Sequence, residues 1–407
     1  MNSVHKELRK LANYSSSEFP AITRILYTKE DLEARDYFIS LCEEIGLKIK
    51  IDPIGNIYAR WEGSDASLPA IATGSHIDAI PLSGMYDGTV GVYGGLAAIR
   101  DLKNTGYQPK RSVELILFTS EEPTRFKLGC VGSRMLCGQL TKEDVVKLVD
   151  DEGNYFDDVR KNAGYKGSLD EVALSNTHYH SFIELHIEQG PILEREKLDI
   201  GIVTKIAAPS SLKVFLTGEG GHAGGVLMKD RKDAGTAGAE IMLAVERIAN
   251  ESDSDDTVAT VGIFDILPRA VNSIPKEAYL EIDLRDTNLA TRDASLSTVK
   301  DVVKEVCEKR GIGYKIEMVN CDPPAICDES LVNTVEAVVK ESGFTYKKMV
   351  SRAYHDSLFM AVIVPTTMIF IPCKDGVSHR PDEYSSPEEI EKGVAVLSNV
   401  FKALSSE

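Results

Sequence analysis

Four apolar runs of this sequence are followed by side chains of the types that bind metal ions. Three imidazoles together with several carboxylates make a site for borderline divalent metals a simpler account than chance. The candidate ligands outnumber what one ion needs, so the pattern predicts two ions. The candidates are His76, Asp78, Asp87, Glu121, Glu122, His186 and His379.

The adjacent glutamates of "FTSEEPTRF" predict that two carboxylates divide the chemistry between them. Neighbouring carboxylates repel each other, so a cation is needed to keep both of them charged. If Glu122 binds a metal ion, Glu121 remains free beside the ions to accept a proton from the attacking water. Asp87, at the start of a predicted helix, could offer one oxygen to each ion. Asp78 is placed to orient the ring of His76.

Isolated residues of these types are usually structural. A lone histidine or a glutamate pair is structural by roughly four to one, and only the joint pattern reverses those odds. His178 and His180 precede a predicted strand, and odds of roughly three to one favour surface or packing roles for them. His5 lies in a polar leader and is given no role.

The elements that must position these residues alternate between strand and helix. Residues 67–80 and the β-branched run from 112 predict buried strands, and residues 87–106 between them have helical spacing. Strand, helix and strand in this order imply a parallel βαβ unit. Further strands are predicted within 180–190 and 366–379. Ligands of open α/β sheets bind beyond the carboxyl ends of the strands, which is where the candidate residues fall.

A segment with a different rhythm interrupts the second half of the chain. Its order of strand, helix, two strands, helix and strand is that of a ferredoxin-like module. Proline and small residues at 207–211 and 321–325 mark its edges. We therefore expect an inserted domain at 208–322. The catalytic α/β domain, with a mostly parallel central sheet, is expected to consist of residues 1–207 and 323–407.

Composition excludes several classes of function. The 407 residues are 27% charged and 43% hydrophobic, the balance of a globular protein of two or three domains. A formal net charge of −17 argues against nucleic-acid binding, which needs a basic face. No stretch approaches a membrane span, and the N-terminus lacks the apolar core of a secretory signal. The seven cysteines are odd in number and include no CxxC pair, which indicates reduced thiols in the cytoplasm.

Six motifs, in order along nearly the whole chain, carry a family resemblance. They are "GSHIDAIPLSGMYDGTVGV", "LFTSEEPTRF", "ELHIEQGPILE", "GEGGHAGGVLMKDRKDA", "AVNSIPKEAYLEIDLRD" and "SHRPDEYSSPEEIEKG". The sequence resembles the binuclear-metal amidohydrolases that include allantoate amidohydrolase, ureidoglycolate amidohydrolase and N-carbamoyl-L-amino acid hydrolase. The resemblance implies a metallopeptidase-like catalytic domain. It also implies that the inserted module is a lid and forms the contact of a homodimer.

The resemblance implies a role for each candidate ligand. Glu121 would act as general acid and base, and Asp87 would bridge two divalent ions, manganese or, as the alternative, zinc. In related dinuclear aminopeptidases an acidic residue usually stands in place of His186, so "ELHIEQG" favours the amidase branch. The implied metal ligands are His76, Asp87, Glu122, His186 and His379.

Further residues are implied in catalysis and in substrate binding. His222 would reach the active site of the partner subunit and stabilise the tetrahedral oxyanion, while Asn272 and Arg285 would hold the substrate carboxylate. A guanidinium fork suits a carboxylate. The plainer interpretations are a glycine-rich turn around His222 and a strand-end ion pair for Arg285. The predicted substrate-binding residues are Gln189, Asn272, Arg285, Tyr354 and His355.

The substrate depends on the segment "SRAYHDSLFMA", residues 351–361. It resembles the version in family members that act on ureidoglycolate, whereas glycine usually precedes the His-Asp pair in members that act on allantoate or carbamoyl amino acids. Tyr354 at that position would narrow the pocket, and its hydroxyl could pair with the substrate hydroxyl; simple packing is the alternative. The resemblance thus implies hydrolysis of (S)-ureidoglycolate to glyoxylate, ammonia and carbon dioxide in purine catabolism.

Other functions stay open at this level. Allantoate or an N-carbamoyl-L-amino acid are alternative substrates of the same branch. A dipeptidase or aminopeptidase would use the same metal chemistry on a different bond. A binding protein that has lost catalysis is opposed by the intact ligands and by the intact Glu121.

Overall fold

The computed structural model describes residues 3–406, which divide between two compact units. The first unit holds the chain as far as Thr204, then Ile326–Ser351 and the chain from His355 onward. The second unit holds Lys205–Ala325 and Arg352–Tyr354. The segment expected to be an insertion, 208–322, lies within the second unit.

Both units contain strands and helices. The strands are β1 (Ile22–Arg24), β2 (Lys48–Ile51), β3 (Ile57–Trp61), β4 (Ala70–Ser75), β5 (Ala79–Ser83), β6 (Val113–Leu117), β7 (Tyr179–Ile187), β8 (Ile200–Ile206), β9 (Ala208–Thr217), β10 (Gly221–His222), β11 (Val258–Leu267), β12 (Ser273–Ile274), β13 (Glu277–Asp286), β14 (Gly313–Cys321), β15 (Ala325–Ile326), β16 (Tyr346–Ser351) and β17 (Thr366–Ile371). The helices are α1 (Ser3–Leu11), α2 (Lys29–Glu44), α3 (Thr89–Asn104), α4 (Val131–Leu136), α5 (Lys142–Val145), α6 (Phe156–Asn162), α7 (Ile192–Glu196), α8 (Ala234–Asn250), α9 (Leu289–Arg310), α10 (Glu329–Glu341), α11 (Asp356–Met360) and α12 (Pro387–Ser405).

A nine-stranded sheet is the framework of the first unit. Its order is β15-β8-β17-β7-β4-β6-β3-β2, with β16 beside β8. The central strands β17, β7, β4 and β6 run parallel. On either side, β8 is antiparallel to β17, β3 to β6, and β2 to β3. The predicted α/β fold is confirmed, and the parallel part of its sheet is the centre.

Burial explains why the central strands are so apolar. All residues of β4, β6 and β17 are buried, as expected for strands that are covered on both faces. Helix α3 packs closely against β7 through Gly91, where a Cβ would lie 2.5 Å from Leu185 O. Glycine therefore allows the helix that follows Asp87 to lie directly on the sheet.

The predicted βαβ unit is present as β4, α3 and β6, but two strands end earlier than the sequence indicates. β4 stops at Ser75, and the chain soon enters β5, which pairs antiparallel with β1. β17 stops at Ile371, where the next residue, Pro372, has no N–H to continue the ladder. The residues after this proline form the turn that carries His379.

The second unit has the element order expected of a ferredoxin-like module: β9, α8, β11, β13, α9 and β14. Its sheet has the order β11-β13-β9-β14, and every neighbouring pair is antiparallel. Alternate residues of β13 are buried. They pack with the two helices into an apolar core that includes Leu216, Ile241, Leu280 and Val303.

Two further features concern the helices and the cysteines. Within residues 3–406, no helix is both long enough and apolar enough to cross a membrane. All seven cysteines are free, and only Cys321 is exposed.

Candidate metal centre and active site

The candidate metal ligands converge on Asp87. His76 follows β4, His186 lies near the end of β7 and His379 lies in the turn after β17, so the parallel strands bring three imidazoles to one edge of the sheet. Asp87 Oδ1 lies 3.2 Å from His186 Nε2 and 3.9 Å from His76 Nε2. Asp87 Oδ2 lies 3.0 Å from His379 Nε2. The two oxygens of one carboxylate thus face different imidazoles.

Two sets of donor atoms share this carboxylate. One set is His76, Asp87 and His186; the other is Asp87, Glu122 and His379; the donor atoms of each set lie within 4.8 Å of one another. Glu122 Oε1 lies 3.5 Å from His379 Nε2. Imidazole nitrogen and carboxylate oxygen are ligands of divalent ions such as zinc and manganese. The arrangement fits two cations with Asp87 between them.

Backbone carbonyl oxygens hold the Nδ1 side of the two buried imidazoles. His76 Nδ1 lies 3.0 Å from Asp78 O, and His186 Nδ1 lies 2.9 Å from Ile187 O. A carbonyl oxygen only accepts hydrogen bonds, so Nδ1 carries the hydrogen in each ring. Nε2 of each ring therefore faces Asp87, and Nε2 of His186 also accepts the backbone N–H of Gly88 at 3.2 Å.

Glycine at position 88 keeps space open beside His76. Gly88 has a φ of 65° and directly precedes α3. A Cβ at this position would lie 2.3 Å from His76 Nε2. Any L-residue with a side chain would therefore crowd the nitrogen that would bind the ion.

The electrostatics of the cluster favour a bound cation. Burial would raise the pKa of Asp87, but hydrogen bonds from His186 and His379 outweigh it and hold that pKa well below its usual range. Burial would lower the pKa of His186, yet its contact with Asp87 raises it to about 9. The pKa of His379 is also raised to about 9, chiefly by its hydrogen bond to Asp87. A divalent ion would supply the positive charge that these protons otherwise supply.

The paired glutamates point to different neighbours. Glu122 belongs to one donor set, whereas Glu121 lies outside both sets. Glu121 Oε2 lies 3.6 Å from His76 Nε2, and its Oε1 accepts a hydrogen bond from the thiol of Cys130 at 3.6 Å. Burial, followed by repulsion from Glu122, raises the pKa of Glu121 well above its ordinary value. Glu121 is thus beside the donor sets without being a member of either.

Asp78 differs from the sequence-based prediction. It was expected to orient His76 through its carboxylate, but Asp78 Oδ1 lies 3.6 Å from His76 Nδ1, too far for a hydrogen bond. The ring is held by the backbone carbonyl of Asp78 instead. The carboxylate accepts the backbone N–H groups of Glu121, at 3.3 Å, and Glu122, at 2.9 Å. The reason is that the chain turns after β4 and brings the Asp78 side chain beneath the end of β6.

Gln189, predicted to bind substrate, contacts Asp87. Its Nε2 donates to Asp87 Oδ2 at 2.9 Å and approaches Ser378 Oγ at 3.2 Å. Its Oε1 is buried and has no hydrogen-bond partner among residues 3–406. An unpaired buried amide oxygen costs free energy, so this atom is an available acceptor beside the metal candidates.

Sequence reasoning missed Glu383, although it stands four residues after His379 in "SHRPDEY". Its side chain is buried. Oε1 accepts the backbone N–H groups of Tyr86, at 2.8 Å, and Asp87, at 3.0 Å. Oε2 lies 3.0 Å from Ser378 Oγ. The only sequence signal was its nearness to a candidate ligand, since its backbone partners Tyr86 and Asp87 lie almost 300 residues away in the chain.

His355, also predicted to bind substrate, is buried against His186. Its ring centroid lies 4.6 Å from that of His186, and its Nε2 lies 2.9 Å from Ser351 Oγ. It is 2% exposed, a position suited to supporting His186 rather than meeting a substrate. Glu184 joins these two histidines in a third possible donor set. The oxygens of Glu184 are already paired with the hydroxyls of Ser75 and Ser357, so this set needs no ion.

The remaining candidates lie in or beside the second unit's sheets. His222 and Asn272 are exposed neighbours on the short β10–β12 ladder, where His222 pairs with Ser273 and Ala223 N donates to Asn272 O at 2.9 Å. The structure therefore brings together two residues that are 50 positions apart.

Arg285 and Tyr354 have partners within the second unit. Arg285 Nε lies 2.7 Å from Asp283 Oδ1, and its Nη1 donates to Arg352 O at 3.2 Å. The plainer interpretation, a strand-end ion pair, describes these contacts of Arg285. Tyr354 Oη lies 3.3 Å from Asp322 Oδ2.

The histidines that received no role lie outside all three donor sets. His178 packs edge-on against Tyr179, and His180 Nδ1 lies 3.3 Å from Ser181 Oγ. His5 is buried in α1 rather than in an open leader, since α1 packs against α3.

Comparison with known proteins shows the family of this chain and its similar structures. The model of the peptidase family M20/M25/M40 matches residues 72–403. Ureidoglycolate hydrolase of Oryza sativa subsp. japonica is 49% identical over 99% of this chain and 84% of its own length. The Arabidopsis thaliana protein of the same name is 49% identical over 99% of this chain and 86% of its own length. The crystal structure of AtUAH in complex with glyoxylate has a TM-score of 0.91 and 49% identity, covering 99% of this chain and 97% of that one. This chain belongs to the peptidase family M20/M25/M40.

Proposed function

We propose that this protein is a metal-dependent amidohydrolase that converts (S)-ureidoglycolate to glyoxylate, ammonia and carbon dioxide in purine catabolism. The observation that carries the proposal is the Asp87-centred pair of donor sets, with Glu121 just outside them. The similarity to ureidoglycolate hydrolases over nearly the whole chain supports the choice of substrate.

The proposed cofactor is a pair of divalent ions per subunit. Manganese is the favoured metal, and zinc is the alternative. His76 and His186 would hold one ion, Glu122 and His379 the other, and Asp87 would contact both. When bound, such ions lower the pKa of a shared water and polarise the ureido carbonyl. Metal-depleted protein is expected to lose activity and regain it with manganese; turnover by protein with no measurable metal would contradict the proposal.

The proton steps fall to Glu121. Its carboxylate accepts the proton of the attacking water and returns it to the departing nitrogen, which is general acid and base catalysis by one group. The position of Glu121 beside the donor sets, with Oε2 3.6 Å from His76 Nε2, suits it to this role. Asp78 holds the backbone of Glu121 and Glu122 so that the two side chains diverge.

Substrate binding is proposed for Gln189, Asn272, Arg285 and Tyr354. The unpaired Oε1 of Gln189 is an acceptor for a ureido N–H group. Arg285 would have to exchange Asp283 for the substrate carboxylate. His355 is assigned to supporting His186 because of its burial.

We further propose a homodimer built through residues 208–322, in which His222 acts on the partner's substrate. The exposure of His222 and Asn272 on one short ladder supports this assignment. A cytoplasmic location is proposed from the seven free cysteines.

The decisive experiment compares ammonia release from (S)-ureidoglycolate, allantoate and an N-carbamoyl-L-amino acid, side by side with manganese. A kcat/KM highest for ureidoglycolate is expected. A clear preference for one of the others would overturn the substrate while leaving the metal chemistry in place. Cleavage of dipeptides but of no ureido compound would point to a peptidase instead.

A further inference from the structure

We propose that Glu383 is a positioning residue that clamps the loop of Asp87 to the turn of His379 and so sets how firmly the Asp87–Glu122–His379 set holds its ion. The inference rests on the proposed metal site but concerns a residue that is not a ligand. Glu383 is 4% exposed. Its two oxygens contact two segments that are distant in the chain.

The first contact fixes the backbone of Asp87. Glu383 Oε1 accepts the consecutive N–H groups of Tyr86 and Asp87, at 2.8 and 3.0 Å. A carboxylate that accepts two backbone N–H groups makes strong, charge-assisted hydrogen bonds. The loop before Asp87 packs closely against the Glu383 side chain, since a Cβ at Gly84 would lie 2.3 Å from Glu383 Cβ. The Asp87 backbone therefore depends on this carboxylate.

The second contact reaches the turn that carries His379. Glu383 Oε2 lies 3.0 Å from Ser378 Oγ, and this hydroxyl also lies 3.1 Å from Asp87 Oδ2. Ser378 directly precedes His379. The hydroxyl therefore links Glu383, the shared carboxylate and the last histidine of the site.

The histidines of the two donor sets differ in their burial and in the backbone contacts that restrain their rings. His76 and His186 are buried, and each has its Nδ1 held by a backbone carbonyl. The side chain of His379 is 48% exposed, and its backbone has a φ of 58°, which is unfavourable for a residue with a side chain. The position of the His379 side chain therefore depends on the conformation of its turn. Glu383 stabilises that turn through Ser378.

Glu383 is not itself a member of any donor set among the described residues. Both of its oxygens are engaged by backbone N–H groups or by Ser378. Groups that orient metal ligands in this way typically change metal affinity by about 10 to 100-fold when they are removed. The expected effect is therefore on the retention of one ion.

The test measures metal release from manganese-loaded Glu383→Ala during dialysis against a chelator. Wild-type protein is expected to retain about two ions per chain, and the variant should pass through a state with about one, losing the first ion about 10 to 100-fold faster. The matched control is Asp52→Ala: Asp52 is also buried and accepts two backbone N–H groups, from Ile54 and Asn56. It should lower the melting temperature without speeding metal release.

A second comparison separates positioning from general destabilisation. Adding Glu383→Ala to His379→Ala should speed metal release less than adding it to His76→Ala, because the turn that Glu383 secures has then already lost its ligand and only the restraint on Asp87 remains. If Glu383→Ala fails to fold, Ser378→Ala, which removes only a hydroxyl, takes its place in the same assay. Release of both ions at wild-type rates, or of both ions equally fast, would overturn the inference. Wild-type protein that binds no divalent ion would instead overturn the proposed function.

Discussion

The carboxylate of Asp78 caps the backbone of the two glutamates, with Oδ2 2.9 Å from Glu122 N and Oδ1 3.3 Å from Glu121 N. Two adjacent residues can hardly serve one site in different roles unless their backbone is fixed. Asp78 provides this restraint, while its own carbonyl oxygen holds His76. One residue thus connects the ends of β4 and β6.

Removing the Asp78 carboxylate should lower activity without unfolding the protein. Asp78→Ala leaves two buried N–H groups without an acceptor, at about 1–3 kcal/mol each, and we expect kcat to fall by about 10 to 100-fold. Asp78→Asn keeps one oxygen as an acceptor, so its kcat should lie between those of the wild type and the alanine variant. Kinetics and thermal melting of the three proteins check this order, and wild-type kcat in the alanine variant would contradict it.

The glutamate pair should separate metal binding from catalysis. Glu121→Gln is expected to keep both ions and lose about 10² to 10⁴ in kcat, the usual cost of removing a general base. Glu122→Gln should lose metal affinity as well, because Glu122 belongs to a donor set. Metal content and turnover are measured on both variants. Equal metal loss in the two would mean that the assignment of roles is wrong.

Gly88 permits a test with a control glycine that also has a positive φ. Gly88→Ala places a methyl group against His76 Nε2 and should reduce both metal content and activity. Gly106 has a similar φ of 78°, but a Cβ added there would have no neighbour within 4 Å among the described atoms. Gly106→Ala should therefore cost only the strain of a left-handed residue, about 1–2 kcal/mol. Equal metal content in the two variants would show that crowding at His76 is unimportant.

Mixing two inactive variants tests whether His222 acts across a dimer. Glu121→Gln and His222→Ala each disable one part of the proposed site, so a heterodimer in which the site is completed across subunits should contain one intact site. We expect partial recovery of activity after subunit exchange, measured as ammonia release. The proteins mixed without exchange are the control. If subunit exchange is demonstrated and no activity returns, His222 acts in the site of its own subunit or outside catalysis.

The sequence by itself determined the elements and the types of ligand. Apolar runs such as Val113–Leu117 predicted buried strands because only covered strands can be apolar throughout. Polar residues just after such runs predicted a site because parallel strands end at one edge. Both inferences depend on local pattern, and the fold they predicted is the one observed.

Only the tertiary structure decided which atoms each of these side chains contacts. The spacing of His76 and Asp78 suggested a pair of side chains, but the turn after β4 placed a carbonyl against the ring and the carboxylate under Glu121 and Glu122. Glu383 is placed beside the site by its hydrogen bonds from the backbone N–H groups of Tyr86 and Asp87, which are distant in the chain. Hydrogen-bond partners of this kind are chosen by the packing of distant segments, whose relative positions no local pattern of residues encodes.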